Sequence, residues 1–168
     1  YIKLLLSPRS SLRYGNRSAL DYETAATAIG SVSTVQGMIN LERKDEHKGI
    51  IHTAAASGIG KMLFAACKVY NINLVAVVRK ETQVEILKSL GVEHIINTSK
   101  DGWEDGLRDL LEQQQVTGFF DAVSGEVGSK IIKHLPPSSI TYCYGFLSGE
   151  DYTCSINSIL FEKKVLRN

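Results

Sequence analysis

The chain has 168 residues, 43% hydrophobic and 22% charged, enough for one domain with a sizeable core. Nineteen basic and eighteen acidic side chains leave a net charge of +1, which excludes a global attraction to nucleic acid or to an anionic membrane. No apolar run approaches the ~18 residues of a membrane span. Ile2 and residues 4–6 lie too close to Arg9 and Arg13, and are too few, to read as a signal peptide.

In chain order, residues 1–20 join a short apolar strand to a Pro/Ser/Arg/Gly loop and read as a lead-in. A helix is predicted over residues 22–43, with Asp21 as N-cap and a bend or break at residues 30–33. Strands and helices then alternate. Strands are expected at residues 50–54, 74–78, 93–96, 119–123 and 140–144, with a further one starting at Val165. Helices are expected at residues 59–70, 81–90 (stopped by Gly91), 103–115, 127–135 (stopped by Pro136 and Pro137) and 156–162. Helices of about ten residues between strands mean βαβ units and a parallel sheet. The fold class is α/β: a Rossmann doubly wound parallel sheet with helices on both faces. Residues 21–168 would form this domain. Tyr1 at the start, and a strand-like stretch just before Asn168, lead us to expect a piece of a longer protein, cut in its C-terminal strand.

Three widely spaced cysteines, Cys67, Cys143 and Cys154, give neither a disulfide framework nor zinc-ligand spacing. They point to a reducing, intracellular setting, cytoplasm or organelle matrix. The four histidines do not cluster either, and no metal constellation is expected.

In a parallel sheet of this kind, ligands bind beyond the carboxyl ends of the strands at the switch point. The turn from strand 50–54 into helix 59–70 reads Ala54-Ala55-Ala56-Ser57-Gly58-Ile59-Gly60. Small residues there let a phosphate approach the backbone, and the helix N-terminus supplies N–H groups and partial positive charge. Against the dinucleotide fingerprint G-x-G-x-x-G, only Gly60 is retained, with Ala55 and Ser57 at the other two places. A plain small-residue turn is the competing reading. A P-loop fails, because Ala55 stands where glycine is needed and Met62 where a magnesium-binding Ser or Thr is needed.

The end of the second strand distinguishes the cofactors. A carboxylate there would accept from a ribose 2′-OH, whereas a cation accommodates a 2′-phosphate. This chain has Arg79 and Lys80, which favours NADP(H); Glu81 follows them, and a simply solvated loop is the alternative.

The run from His52 to Lys61 resembles the medium-chain dehydrogenase/reductase superfamily, and more closely its zinc-independent branch of quinone oxidoreductases and leukotriene B4 dehydrogenase-like reductases. Further stretches resemble it in order: Leu87-Lys88-Ser89-Leu90-Gly91-Val92, His94-Ile95-Ile96-Asn97, Phe120-Asp121-Ala122-Val123-Ser124-Gly125, and Tyr142-Cys143-Tyr144-Gly145 with Ser148-Gly149. Upstream, Ser33-Thr34-Val35-Gln36-Gly37-Met38 resembles the helix whose threonine reaches the cofactor. The resemblance spans roughly residues 20–166. It implies a GroES-like catalytic domain ahead of this Rossmann domain, and hydride transfer between NADPH and a carbonyl, quinone or activated alkene. It also implies an edge-to-edge homodimer through the last strand. By the match, Thr34, Ala56, Ser57 and Gly60 would lie near the phosphates or ribose, and Arg79 and Lys80 near the 2′-phosphate. Val123, Ser124, Gly125, Gly145, Phe146 and Leu147 would line the nicotinamide side.

This sequence departs from the family at Ser57, where glycine is commoner, at Thr98, where members often have a tyrosine near the 2′-phosphate, and in the expected absence of the GroES-like domain. The departures keep a second reading open: a degenerate, non-catalytic nucleotide-binding domain with a structural role. Asp121 reads as structural or cofactor-side, His52 as a satisfied core histidine, Cys67 and Cys143 as packing, and Trp103 as docking its helix on the sheet.

Overall fold

The computed structural model describes residues 22–167, with side chains from Gly30 onward; the predicted lead-in and the Asp21 cap lie outside the described residues. The elements, in order, are α1 (Tyr22–Lys44), β1 (Gly49–His52), α2 (Gly58–Tyr70), β2 (Asn73–Val78), α3 (Glu81–Ser89), β3 (His94–Asn97), α4 (Leu107–Gln113), β4 (Val116–Asp121), α5 (Gly125–His134), β5 (Ile140–Cys143), α6 (Ile156–Leu160) and β6 (Val165–Arg167). The six strands form one sheet in the order β3-β2-β1-β4-β5-β6, every neighbouring pair parallel. This is the doubly wound dinucleotide-fold order, with its switch point between β1 and β4.

Strand alternation divides the core between two faces. Ile51, Val75, Val77 and Phe119 pack against Leu107 and Leu111 of α4 and Ile131 and Ile132 of α5. On the other face Ile50, Leu74, Phe120 and Tyr142 meet Val35, Met38 and Ile39 of α1 and Leu63, Ala66 and Cys67 of α2. Ala76 and Val78 extend that face to Val84 and Leu87 of α3. Because both faces are covered, β1 is buried at every position, as central parallel strands are.

Three local expectations shift. α1 is one unbroken helix, with no bend at residues 30–33. Val35, Met38 and Ile39 continue its buried stripe, and the Thr34 hydroxyl bonds back to the Gly30 carbonyl instead of breaking the helix. The helix expected from Trp103 starts only at Leu107, because Gly102 and Gly106 take positive φ and keep residues 101–106 in turns. Trp103 still packs against the core beside α4. β4 begins at Val116, three residues before its predicted start, since Gly118 leaves room for the His47 ring, 2.9 Å from where a Cβ would stand.

Among the described residues no helix is long and apolar enough to cross a membrane. All three cysteines are free, and burial pushes the Cys67 thiol up to about 12.

Two buried histidines are held neutral. His47 joins Thr117 through Nδ1 and the Tyr142 hydroxyl through Nε2, while Tyr142 donates its proton to Asp45. His47 Nε2 must therefore be the donor, and Nδ1 accepts from Thr117. His52 has no exposure; Nε2 meets the Tyr144 hydroxyl at 2.7 Å, and Nδ1 has no partner, so this core histidine is only half satisfied. Burial lowers His52 to about 4. The unfolded chain takes up a proton below pH ~6.5 and the folded His52 does not, so stability falls as pH drops from there towards 4. Urea unfolding should lose on the order of 2 kcal/mol from this group between pH 7 and pH 5. A flat profile would contradict a neutral buried ring.

Candidate functional site

The carboxyl edge of the sheet is built around three turns. The first follows β1. The Thr53 N–H reaches the Phe120 carbonyl and the Ala55 N–H reaches the Val77 carbonyl, both at 3.2 Å, so the turn is stitched to β4 on one side and β2 on the other. Ala54 has φ +51°, a left-handed conformation that costs a non-glycine residue ~1 kcal/mol. Ser57 is the N-cap of α2, and its Oγ accepts from the Gly60 N–H at 3.1 Å. That bond uses an acceptor lone pair, so the hydroxyl proton is still there to be donated to an anion. Gly60 is constrained by packing: a Cβ would lie 2.1 Å from the Ala55 carbonyl oxygen.

The second turn joins β4 to α5. Asp121 is fully buried and accepts from the Thr53 hydroxyl, the Val123 N–H at 2.8 Å, the Ser124 N–H at 3.1 Å and the Tyr152 hydroxyl at 2.6 Å. It is committed to structure. Burial and the Asp121 contact together push the Tyr152 hydroxyl far above its ordinary range. Ser124 stands at φ +64°, ψ −157°, a region that glycine favours. Its Oγ bonds the Gly145 carbonyl at 2.9 Å, tying the turn to the loop after β5.

The third turn joins β2 to α3. The Gln83 side-chain oxygen accepts from the backbone N–H groups of Arg79 and Lys80, both at 3.1 Å. Glu81 turns towards β3 and takes Asn97 Nδ2 at 2.9 Å and Lys100 Nζ at 3.2 Å, which holds its carboxyl below the usual range.

A cleft of 380 Å³ crosses these turns from the end of β2 to the loop after β5. Of the predicted site residues, Arg79, Val123, Ser124 and Leu147 line it. The others are placed around it or away from it. Ser57 and Gly60 open α2, Ala56 packs against the Val78 cluster, and Lys80 is the exposed N-cap of α3. Gly125 begins α5, with Ser148 and Glu150 packed where its side chain would be. Gly145 lies against the Ala122 carbonyl, Phe146 is exposed, and Thr34 bonds within α1. Thr98, noted above only as a departure, lines the cleft, as do Thr53, Ala54 and Gln83. Gln83 carried a readable signal, a glutamine at the third position of a helix, where it caps the preceding backbone.

The model of a zinc-binding dehydrogenase family matches residues 58–168. Bovine mitochondrial enoyl-acyl-carrier-protein reductase is 20% identical over 165 residues, which are 89% of this chain and 42% of the relative. A candidate quinone oxidoreductase of Leishmania amazonensis is 28% identical over 127 residues, 74% of this chain and 34% of the relative. The crystal structure of a candidate NADPH:quinone reductase from Mesorhizobium loti is similar at TM-score 0.81 and 25% identity, over 89% of this chain and 44% of that one. The chain thus spans less than half the length of these relatives.

The two glycines of the first turn should separate by mutation. Gly60→Ala forces α2 off β1 and should cost about 3 kcal/mol in urea unfolding. At Gly58 a Cβ would meet nothing within 4 Å, so Gly58→Ala should be neutral or slightly stabilising. Equal effects of the two would remove the close-approach argument.

Proposed function

This chain belongs to the zinc-binding dehydrogenase family, within the medium-chain dehydrogenase/reductase superfamily, and we propose that it is the NADP(H)-binding domain of an oxidoreductase. One observation carries the cofactor reading: the cleft over the switch point has Arg79 at the end of β2, and the neighbouring carboxylate, Glu81, is bonded away towards β3. The α2 N-terminus offers backbone N–H groups and partial positive charge to a pyrophosphate. Arg79 offers a guanidinium to the 2′-phosphate, and the edge formed by Val123, Ser124 and Leu147 flanks the nicotinamide half. When bound, the cofactor supplies the hydride chemistry.

The substrate class is a carbonyl, quinone or activated alkene, in keeping with the names of the relatives. The groups that orient it are assigned to a GroES-like domain in the part of the relatives' length that this chain does not span. Among the described residues no cluster of three or more His, Cys, Asp or Glu side chains could hold a metal ion. β6 is one of the two outer strands among the described residues, and Val165 and Leu166 on it are exposed, which suits pairing with a second copy. The alternative, a non-catalytic nucleotide-binding domain, draws on Ser57, whose oxygen already takes the Gly60 N–H that a pyrophosphate oxygen would use.

Calorimetric titration tests the reading. NADPH should bind more tightly than NADH, Arg79→Glu should reverse that order, and the chain alone should not oxidise NADPH with a quinone or enone. No heat with either cofactor would overturn nucleotide binding, and tighter NADH binding would overturn the role of Arg79.

A further inference from the structure

We infer that Ser124 is a positioning residue, whose hydroxyl clamps the loop after β5 against the cleft from a backbone conformation that suits glycine; the inference rests on the NADP(H) reading above. Two constraints impose that conformation, φ +64° and ψ −157°. Asp121 draws the N–H groups of Val123 and Ser124 to one carboxylate, at 2.8 and 3.1 Å. The chain must then turn at once into α5, whose first residue, Gly125, also stands at positive φ, +62°. Glycine at both places would meet these constraints without strain. Serine at the first place brings strain, and with it a hydroxyl. Strain of this kind persists where the surroundings over-determine it, and it gathers at ligand clamps.

The hydroxyl is spent on the loop. Ser124 is buried, and its Oγ donates to the Gly145 carbonyl at 2.9 Å. Cys143 Sγ lies beside that bond, 3.4 Å from the same carbonyl oxygen and 3.5 Å from Ser124 Oγ. The carbonyl belongs to the peptide between Gly145 and Phe146. A glycine leaves its following peptide free to rotate, and the bond from Ser124 stops that rotation.

The residues beyond Gly145 have little else to hold them. Phe146 and Leu147 are 56% and 73% exposed, and residues 148–150 are exposed as well. Two backbone bonds tie them to the residues after β4: the Leu147 N–H to the Ala122 carbonyl at 3.1 Å and the Ser148 N–H to the Val123 carbonyl at 2.9 Å. Leu147 and Ser148 line the cleft beside Val123 and Ser124. A rotated peptide at Gly145 would pull both N–H groups from their acceptors and move this wall. Arg79 lines the cleft from the end of β2, on the far side of β1. A ligand held only at that end does not feel the clamp.

Two variants separate the clamp from the strain. Ser124→Ala loses the hydroxyl and keeps the strain, whereas Ser124→Gly loses both. Ser124→Gly should therefore melt several degrees above Ser124→Ala. In both, amide exchange at Leu147 and Ser148 should quicken roughly tenfold relative to Ile51 in β1, the scale of one lost hydrogen bond. NADPH affinity should fall roughly fivefold in both. Affinity for adenosine 2′,5′-bisphosphate, which has no nicotinamide half, should stay within about twofold. A merely structural serine would make affinity follow stability, with Ser124→Gly binding NADPH as tightly as the unmodified chain. If Ser124→Gly leaves either the exchange or the ratio of the two affinities unmoved, the inference falls while the cofactor reading stands. If the unmodified chain does not bind NADPH, both fall.

Discussion

The site hangs from one buried carboxylate. An ionised group in the sheet's interior is tolerated only when its lone pairs are taken up. Asp121 has four donors from three parts of the carboxyl edge: Thr53 after β1, Val123 and Ser124 in the β4–α5 turn, and Tyr152 in the loop after β5. The Thr53 hydroxyl both donates to Asp121 and accepts from the Ala122 N–H, so the ends of β1 and β4 are locked across the switch point. Tyr152 brings the loop after β5 under α5. Gly128 permits this, since a Cβ there would fall 2.5 Å from Asp121 Oδ2 and 2.6 Å from the Tyr152 ring. The strained Ser124 is held by its own N–H on Asp121 and by Oγ on Gly145. The cleft's floor thus depends on backbone and side-chain bonds to one residue.

From that floor the cleft acquires polarity. Arg79 and the donors near it stand over β2 and β3, whereas the Glu126 and Glu150 carboxylates stand over β4 and β5. Glu126 also pairs with Lys130 across one helical turn, and Lys130 pairs with Glu104, which moderates the charge at that end. The two ends of an asymmetric ligand would meet opposite fields. Because the strands are parallel, this separation follows from strand order.

Much of the fold was legible from periodicity. Helix-covered strands such as 74–78 announce themselves as continuous apolar runs, and Gly91 with φ +86° stops α3 as a glycine should. Boundaries failed where tertiary packing overrode local pattern. The polar-looking start of β4 is a strand because His47 fills the space over Gly118. The tract before α4 looks amphipathic, but two positive-φ glycines keep it in turns. At the site, residue types at strand ends were readable: Arg79, Val123 and Ser124 fall in the cleft. Side-chain direction was not. Whether Glu81 faces the cleft depends on Asn97 and Lys100, sixteen or more residues downstream. A glutamine at the third position of α3 is readable as a cap, but its place in the lining of the cleft is not.

The one-glycine turn after β1 can now be resolved into separate tasks. In the fingerprint, three glycines serve a tight turn, a close approach and the packing of helix on strand. Here the packing task stays with Gly60, where no side chain fits. The tight turn is made at Ala54, at positive φ, held by backbone bonds from Thr53 and Ala55 to the strands on either side. The approach position is Ser57, which caps the helix with its oxygen and retains one proton to donate. Only the packing task forbids a Cβ on steric grounds, and Gly60 is the glycine that remains. The loss of the other two removes conformational freedom from the turn and leaves its position against β2 and β4 intact.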